Sequence, residues 1–302
     1  MSAGDKFSTG VVRIDSAMGV RPVFWPLARG TKPEDRPRLD ITIPWQDSEL
    51  RFRGPGILDI ADQGFLLAVL EIAQTHRQGA RLAAATVTAN AMRDWLEHRS
   101  RQVPTDHLLV RTTFRAIYRQ AHPNMTIGGK SIALVRASLE RLTETTVWQT
   151  QGKCKTSSRL LVWRIADDEA IELAVNWRLV AAVLGEKPYA KVDLEERVTL
   201  GSDLAQALHF MFSCQMPERS ARKYSIETLR SLYFPEAEGC PTADDTKRQQ
   251  RRRLLNAVRQ MVNLPGWTIR VNGHLVEVTR RPSADFRERR RCIATPKAMV
   301  AS

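Results

Sequence analysis

Apolar and polar residues alternate over 39–43, where Leu39, Ile41 and Ile43 are separated by Asp40 and Thr42. That two-residue period predicts a half-buried strand, and LRFRG (50–54), after a short polar turn, completes a hairpin. The period then lengthens. In DIADQGFLLAVLEIAQT (59–75), Leu66, Val69, Leu70 and Ala73 fall on one helical face. A further helix is expected over about 88–99, another over 112–121 on Phe114, Ile117, Tyr118 and Ala121, and the next over 129–145 on Ile132, Val135, Leu139 and Leu142. Gly128 and Gly129 give the turn between the last two the backbone freedom of a helix-turn-helix corner. Strands are expected at 145–151 and 158–165, joined by the polar, basic GKCKTS, and at 171–176, before a helix in WRLVAAVLG.

A similar order recurs. YAKVDLEERVTL (189–200) is strand-like, and SDLAQALHFMFSCQ (202–215) is a helix capped by Ser202, with Leu204, Ala207, Leu208, Met211 and Phe212 as its stripe. Helices follow at 225–234, capped by Ser225, and at 244–262. The last pair of strands turns at Asn272-Gly273, which pairs Val271 with His274, Ile269 with Val276 and Trp267 with Val278. Three helices and a two-stranded wing make the winged-helix plan, and the chain carries it twice. The expected fold class is α+β: two tandem winged-helix domains related by duplication, at 36–187 and 188–282, with a flexible arm at 1–35 and a basic tail at 283–302.

Composition narrows the partner. The 302 residues suffice for about two domains, 43% are hydrophobic, and the net charge of +13 calls for a polyanion. No run approaches the roughly 18 apolar residues of a membrane span, and MSAGDKFSTG has no apolar signal core. Cys154, Cys214, Cys240 and Cys292 form no C-x-x-C pair. A cytoplasmic protein with reduced thiols, no metal and no cofactor is expected.

The charge concentrates on the helix from Asp244. Leu254, Leu255, Val258, Met261 and Val262 cluster on one side; Arg248, Gln249, Arg252, Arg253, Asn256, Arg259 and Gln260 occupy the other. Lys247 and Arg251 lie over the apolar stripe but near the helix start. Arg reads guanine bidentately, Asn and Gln read adenine, and Arg also grips phosphates. A merely solvated basic face is the alternative; the third place in a helix-turn-helix order, with a wing behind it, favours DNA. The corresponding helix of the first domain offers Lys130, Arg136 and Arg141 against Glu140 and Glu144, which suits phosphate positioning or, competing with it, dimerisation. Arg270, His274, Arg280 and Arg281 are candidate wing contacts.

Catalytic patterns fail. NMTIGGKS (124–131) ends like a phosphate-binding loop, but Asn124 replaces its first Gly and a helical pattern, not a strand, precedes it. LLVWRIADD (160–168) is interrupted by Arg164, no His-x-His occurs, and Asp167-Asp168-Glu169 falls in an expected turn.

The ordered stretches LARG, LDITIPW…LRFRGP, SLERL…VWQTQGK, SRLL, ELAVN, VDLEERVTL, SIETL and RRRLLNAVRQMVNLPGWTI…VTRRP resemble the RepC group, the replication initiators of IncQ-type plasmids, over roughly 11–282. The segment 81–102 departs from the group, and the tail after Pro282 is longer. The resemblance implies two winged-helix domains on directly repeated double-stranded DNA sites, the iterons. It also implies opening of an AT-rich segment, engagement of a plasmid helicase and primase, and a homodimer through the first domain. It places basic recognition residues at Arg248, Arg251 and Arg253. A transcriptional repressor, including an autoregulatory one, needs the same helices; an ATPase using Lys130 is the alternative from another class.

Overall fold

Val12 and Ile14 alternate with Val11 and Arg13 and have no exposed surface at all, so the first described segment is core, not arm. The computed structural model describes residues 10–28, 31–75, 108–166, 170–186, 188–235 and 243–282. The helix expected at 88–99, the acidic cluster 167–169 and the tail 283–302 lie outside them.

Strand β1 (Val11–Asp15) leads through a short 3-10 turn to β2 (Phe24–Trp25). Then come β3 (Leu39–Trp45), β4 (Ser48–Gly54), β5 (Leu58–Asp59), α1 (Ile60–Thr75), β6 (Leu109–Thr112), α2 (Phe114–Ala121) and α3 (Gly129–Glu144). After α3 the chain forms β7 (Thr146–Gln151), β8 (Cys154–Arg159), β9 (Leu161–Ile165), β10 (Ile171–Val175) and α4 (Trp177–Leu184). The Thr113 hydroxyl caps α2 by accepting the Ala116 N–H, and Gly185, at φ 77°, ends α4 in the left-handed conformation. The run expected as one strand over 158–165 is two. The Leu160 N–H donates to the Thr145 carbonyl, and the chain crosses there from the sheet β3-β4-β7-β8 to the sheet β6-β10-β9. GKCKTS is correspondingly short as a link: only Gly152, at φ 56°, and Lys153 turn, and Cys154 already belongs to β8.

The second half runs β11 (Tyr189–Asp193), α5 (Leu194–Thr199), α6 (Asp203–Gln215), β12 (Ala221–Ser225), α7 (Ile226–Tyr233), α8 (Asp244–Met261), β13 (Trp267–Asn272) and β14 (Leu275–Arg280). The strand expected over 189–200 stops at Asp193, whose carboxylate accepts the Glu196 N–H and starts α5. The last hairpin turns one residue later than expected, at Gly273-His274 with Gly273 at φ 60°, so Val271 faces Val276 and Ile269 faces Val278. A slip of two keeps every side chain on its face, which is why the apolar residues still share one side.

Both halves repeat helix, strand, helix, helix, antiparallel pair, and both sheets have the same order: β6-β10-β9 and β12-β14-β13. They share one continuous cluster of buried residues. β1 pairs antiparallel with β11 across the junction. Arg178 of α4 holds Asp15 at 2.6 Å, and Gln215 donates to the Gly19 carbonyl at 2.8 Å. Arg197 of α5, buried, donates to the Ile60 carbonyl at 2.9 Å and lies against Gly64 of α1. Burial pulls its pKa down to about 10.

Glu71 of α1 is buried beneath β1, accepting the Gly10 N–H at 2.5 Å and the Gln120 amide. Burial pushes its pKa up to about 7, against those two hydrogen bonds. The fold therefore favours the protonated acid. Its contribution is complete below the ordinary value of 4.5 and is lost as pH rises through about 7. Urea melts at stepped pH should show the wild type losing on the order of 2–3 kcal/mol across this interval, and Glu71→Gln should flatten that slope.

Candidate nucleic-acid interface

Helix α8 buries Leu254, Ala257, Val258 and Met261, while Leu255 is half-buried and Val262, expected in the stripe, is exposed. Val262 caps the helix C-terminus, beyond the reach of the core, and Ala257 takes up the packing instead. The opposite side turns Arg248, Gln249, Arg252, Arg253, Asn256 and Arg259 to solvent, together with Arg251; Lys247 is half-buried. Arg251 donates to the Gly273 carbonyl at 3.4 Å, linking the helix to the hairpin tip. The Arg253 guanidinium lies 5.3 Å from the Phe234 ring centre, and Arg259 donates to Asn256 at 3.1 Å. Arg248 reaches Asp245 at 3.3 Å, a pair so exposed that it holds neither charge firmly. Asp244 and Asp245 occupy the first turn, where acids favour the helix dipole. Gln260 is a strut: its oxygen accepts the Gly201 N–H and the Ser202 hydroxyl at the start of α6. Between α8, the start of α6 and Pro26–Ala28 lies a groove of about 330 Å³, onto which Arg253 and Asn256 open.

The residues expected as wing contacts divide. Arg270 and His274 are exposed, Arg270 opposite Glu277 and His274 in the turn. Arg281 is half-buried and donates to Thr268 at 3.0 Å. Arg280, expected as a wing contact, points inward. It stacks on Trp267 and donates to the carbonyls of Ser213 at 2.7 Å, Met216 at 2.8 Å and Lys191. These carbonyls close the end of α6 and the strand β11, so Arg280 serves as their shared donor and is unavailable to a ligand. Beside it, Glu196 accepts from Gly266 N–H at 2.6 Å and Trp267 Nε1 at 2.9 Å, and meets His209 Nε2 at 3.2 Å. Burial pushes this carboxyl upward, but His209, Gly266 and Trp267 hold it below its ordinary value. The β13-β14 hairpin is thereby fixed to α5 and α6. Nothing in VDLEERVTL separates Glu196 from its neighbour Glu195; only tertiary position does.

In the first half, Val135, Leu139 and Leu142 of α3 are buried, while Lys130 and Arg136 are exposed, the latter 5.3 Å from the Phe114 ring centre. Arg141, expected on the outer side, turns to Asp62 at 2.7 Å, where Ser138 donates at 2.6 Å and Arg36 at 3.4 Å. Asp62 has no exposed surface, and a carboxylate buried there requires a counter-charge. Residues 124–131 join one helix to another, with Gly128 as the cap of α3 and its N–H donated to the Ser131 hydroxyl. Lys130 thus stands on the first turn of a helix without the preceding strand of a phosphate-binding loop.

The model of the family described as Replication protein C (RepC) matches residues 8–281. The chain belongs to the RepC replication protein family. No curated relative matches this RepC chain. Its fold is similar to crystal structures of domains 2 and 3 of RctB. A selenomethionine derivative is 11% identical over 89% of this chain and all of that one, with a TM-score of 0.52. A second structure is 12% identical over 91% of this chain and 99% of that one, also at 0.52. Among the described residues of the RepC chain, no cluster of metal-ligating side chains occurs, and no helix is long and apolar enough to cross a membrane.

The division between inward and outward arginines is measurable. Arg280→Ala should cost about 2–4 kcal/mol in a urea melt, because three carbonyls lose a buried donor, whereas Arg252→Ala should stay within about 0.5 kcal/mol.

Proposed function

We propose that this replication protein is a plasmid replication initiator that binds directly repeated iterons as double-stranded DNA, without catalysis or cofactor of its own. One observation carries the reading: α8 buries an apolar stripe and presents Arg248, Gln249, Arg251, Arg252, Arg253, Asn256 and Arg259 outward, beside a hairpin whose tip carries His274. An 18-residue helix is about 27 Å long, enough to lie in a major groove.

The repeated element order supports two tandem winged-helix domains derived by duplication. The second reads base edges. The first, with Lys130 and Arg136 outward on α3, positions phosphates one turn away or meets a second copy in a homodimer. Linking the two contacts raises the effective concentration of each. Several copies on adjacent repeats bend the duplex and strain flexible steps in an AT-rich tract, at which a plasmid helicase and primase then act.

Footprinting on the native plasmid tests this assignment. Protection of tandem direct repeats beside an AT-rich tract is expected, and a single palindrome over a promoter would instead make the protein a repressor. Arg252→Ala or Arg253→Ala should weaken repeat binding by about 1–3 kcal/mol in a titration of the labelled site, and normal binding by both variants would refute the α8 assignment.

Contacts to six to ten phosphates would give log affinity against log salt a slope of about −5 to −9 in the same titration, whereas a flat response would contradict an extensive backbone interface.

A further inference from the structure

The sheet β3-β4-β7-β8 turns Leu39, Ile43, Leu50, Phe52 and Val147 inward, all buried. Its other face carries a different chemistry. Register places Thr42, Arg51, Trp148 and Ser157 in one row across the four strands, and Asp40, Arg53, Thr146 and Arg159 in the next. Arg51 and Lys155 are exposed, Arg53 and Trp148 are half-buried, and Ser157 is buried. Trp25, Trp45 and Trp163 lean on the core, but Trp148 stands apart from that cluster. Lys155 sits diagonally across the ladder, its ammonium 5.1 Å from the Trp148 ring centre. Asp40 is shared by Arg51 at 2.6 Å and Arg53 at 3.6 Å, and Glu49 stands in the row of Lys155, so two carboxylates face Arg51, Arg53, Lys155 and Arg159 and the face stays cationic.

A half-buried indole outside the core cluster, opposite Arg51, beside Lys155 and diagonal to Arg53, is the pairing that single strands select. Unstacked bases lie on aromatic rings while cations follow the phosphates. A duplex hides its base faces and gains nothing from the ring. We propose that this sheet face binds single-stranded nucleic acid, stacking a base on Trp148, as a second site separate from α8. It gives an initiator a hold on one strand once the duplex opens. The site is independent of which residues of α8 read the duplex.

The test uses the full chain, a fluorescein-labelled dT oligonucleotide of about 15 nucleotides and a labelled duplex carrying the repeats, read by anisotropy. Wild type should bind the oligonucleotide. Trp148→Ala should weaken that binding about tenfold, and Trp148→Phe by less, since stacking is worth about 1–3 kcal/mol per base. Arg53→Glu with Lys155→Glu, which leaves Trp148 in place, should weaken it too and reduce its salt dependence. Duplex affinity should change less than about twofold in all three. The proposal falls if wild type ignores the oligonucleotide, if Trp148→Ala binds it normally, or if both ligands are lost in parallel. It falls equally if sedimentation shows these variants breaking a dimer while oligonucleotide binding persists, which would make the face a contact between two copies. Loss of duplex binding in Arg252→Ala with the oligonucleotide still held would leave this site standing and concern α8 alone.

Discussion

The ladder between Val11–Asp15 and Tyr189–Asp193 is the constraint on which the arrangement of the two halves rests. A strand from the beginning of the chain and one that opens the second half each lack a partner in their own sheet. Pairing them satisfies both backbones and sends Val12, Ile14 and Val192 into shared core. Arg178 on Asp15 and Arg197 on the end of α1 close the same seam with charge. Neither half has a core that ends at the boundary, so a division by repeat is also a division through packed side chains.

Basic residues do two unlike jobs here, and burial decides which. Arg36, Arg141, Arg178, Arg197 and Arg280 are drawn inward to carboxylates or to carbonyls that would otherwise lack a donor. Held there, they order the helices and leave little charge for a polyanion. Arg248, Arg251, Arg252 and Arg259 are held only by exposed contacts, if at all, and keep their charge available in water. The surplus of +13 therefore overstates the diffuse positive surface and understates how much of it lies on α8.

Periodicity made the helices legible. Thr113, Ser202 and Ser225 begin α2, α6 and α7 as caps, and the apolar stripes of α3 and α6 are buried as their spacing implies, save Ile132 on the first turn of α3, which is half-buried. What escaped depends on contacts distant in sequence. Residues 11–25 look like an arm because Pro and Gly interrupt them, and the partner of their first strand lies about 180 residues on. Leu160 breaks a continuous apolar run because its N–H bonds to Thr145, which no local pattern announces. Arg141 and Arg280 sit at outward-looking positions of their elements, and only the buried Asp62 and the open carbonyls of α6 explain why they fold back. The exposed row of α8 needed no such partner, and spacing found it except for Arg251, which the helical period sets over the apolar stripe but the early turns of the helix leave exposed.

Gly64 ends up 3.3 Å, measured from where a Cβ would stand, from the Arg197 guanidinium. A Cβ there would press on the end of the Arg197 side chain, which would have to give by a few tenths of an ångström, so α1 and α5 meet with little to spare. The seam then acts as a gauge of the spacing between the two halves, and bulk added on one side of it is felt on the other.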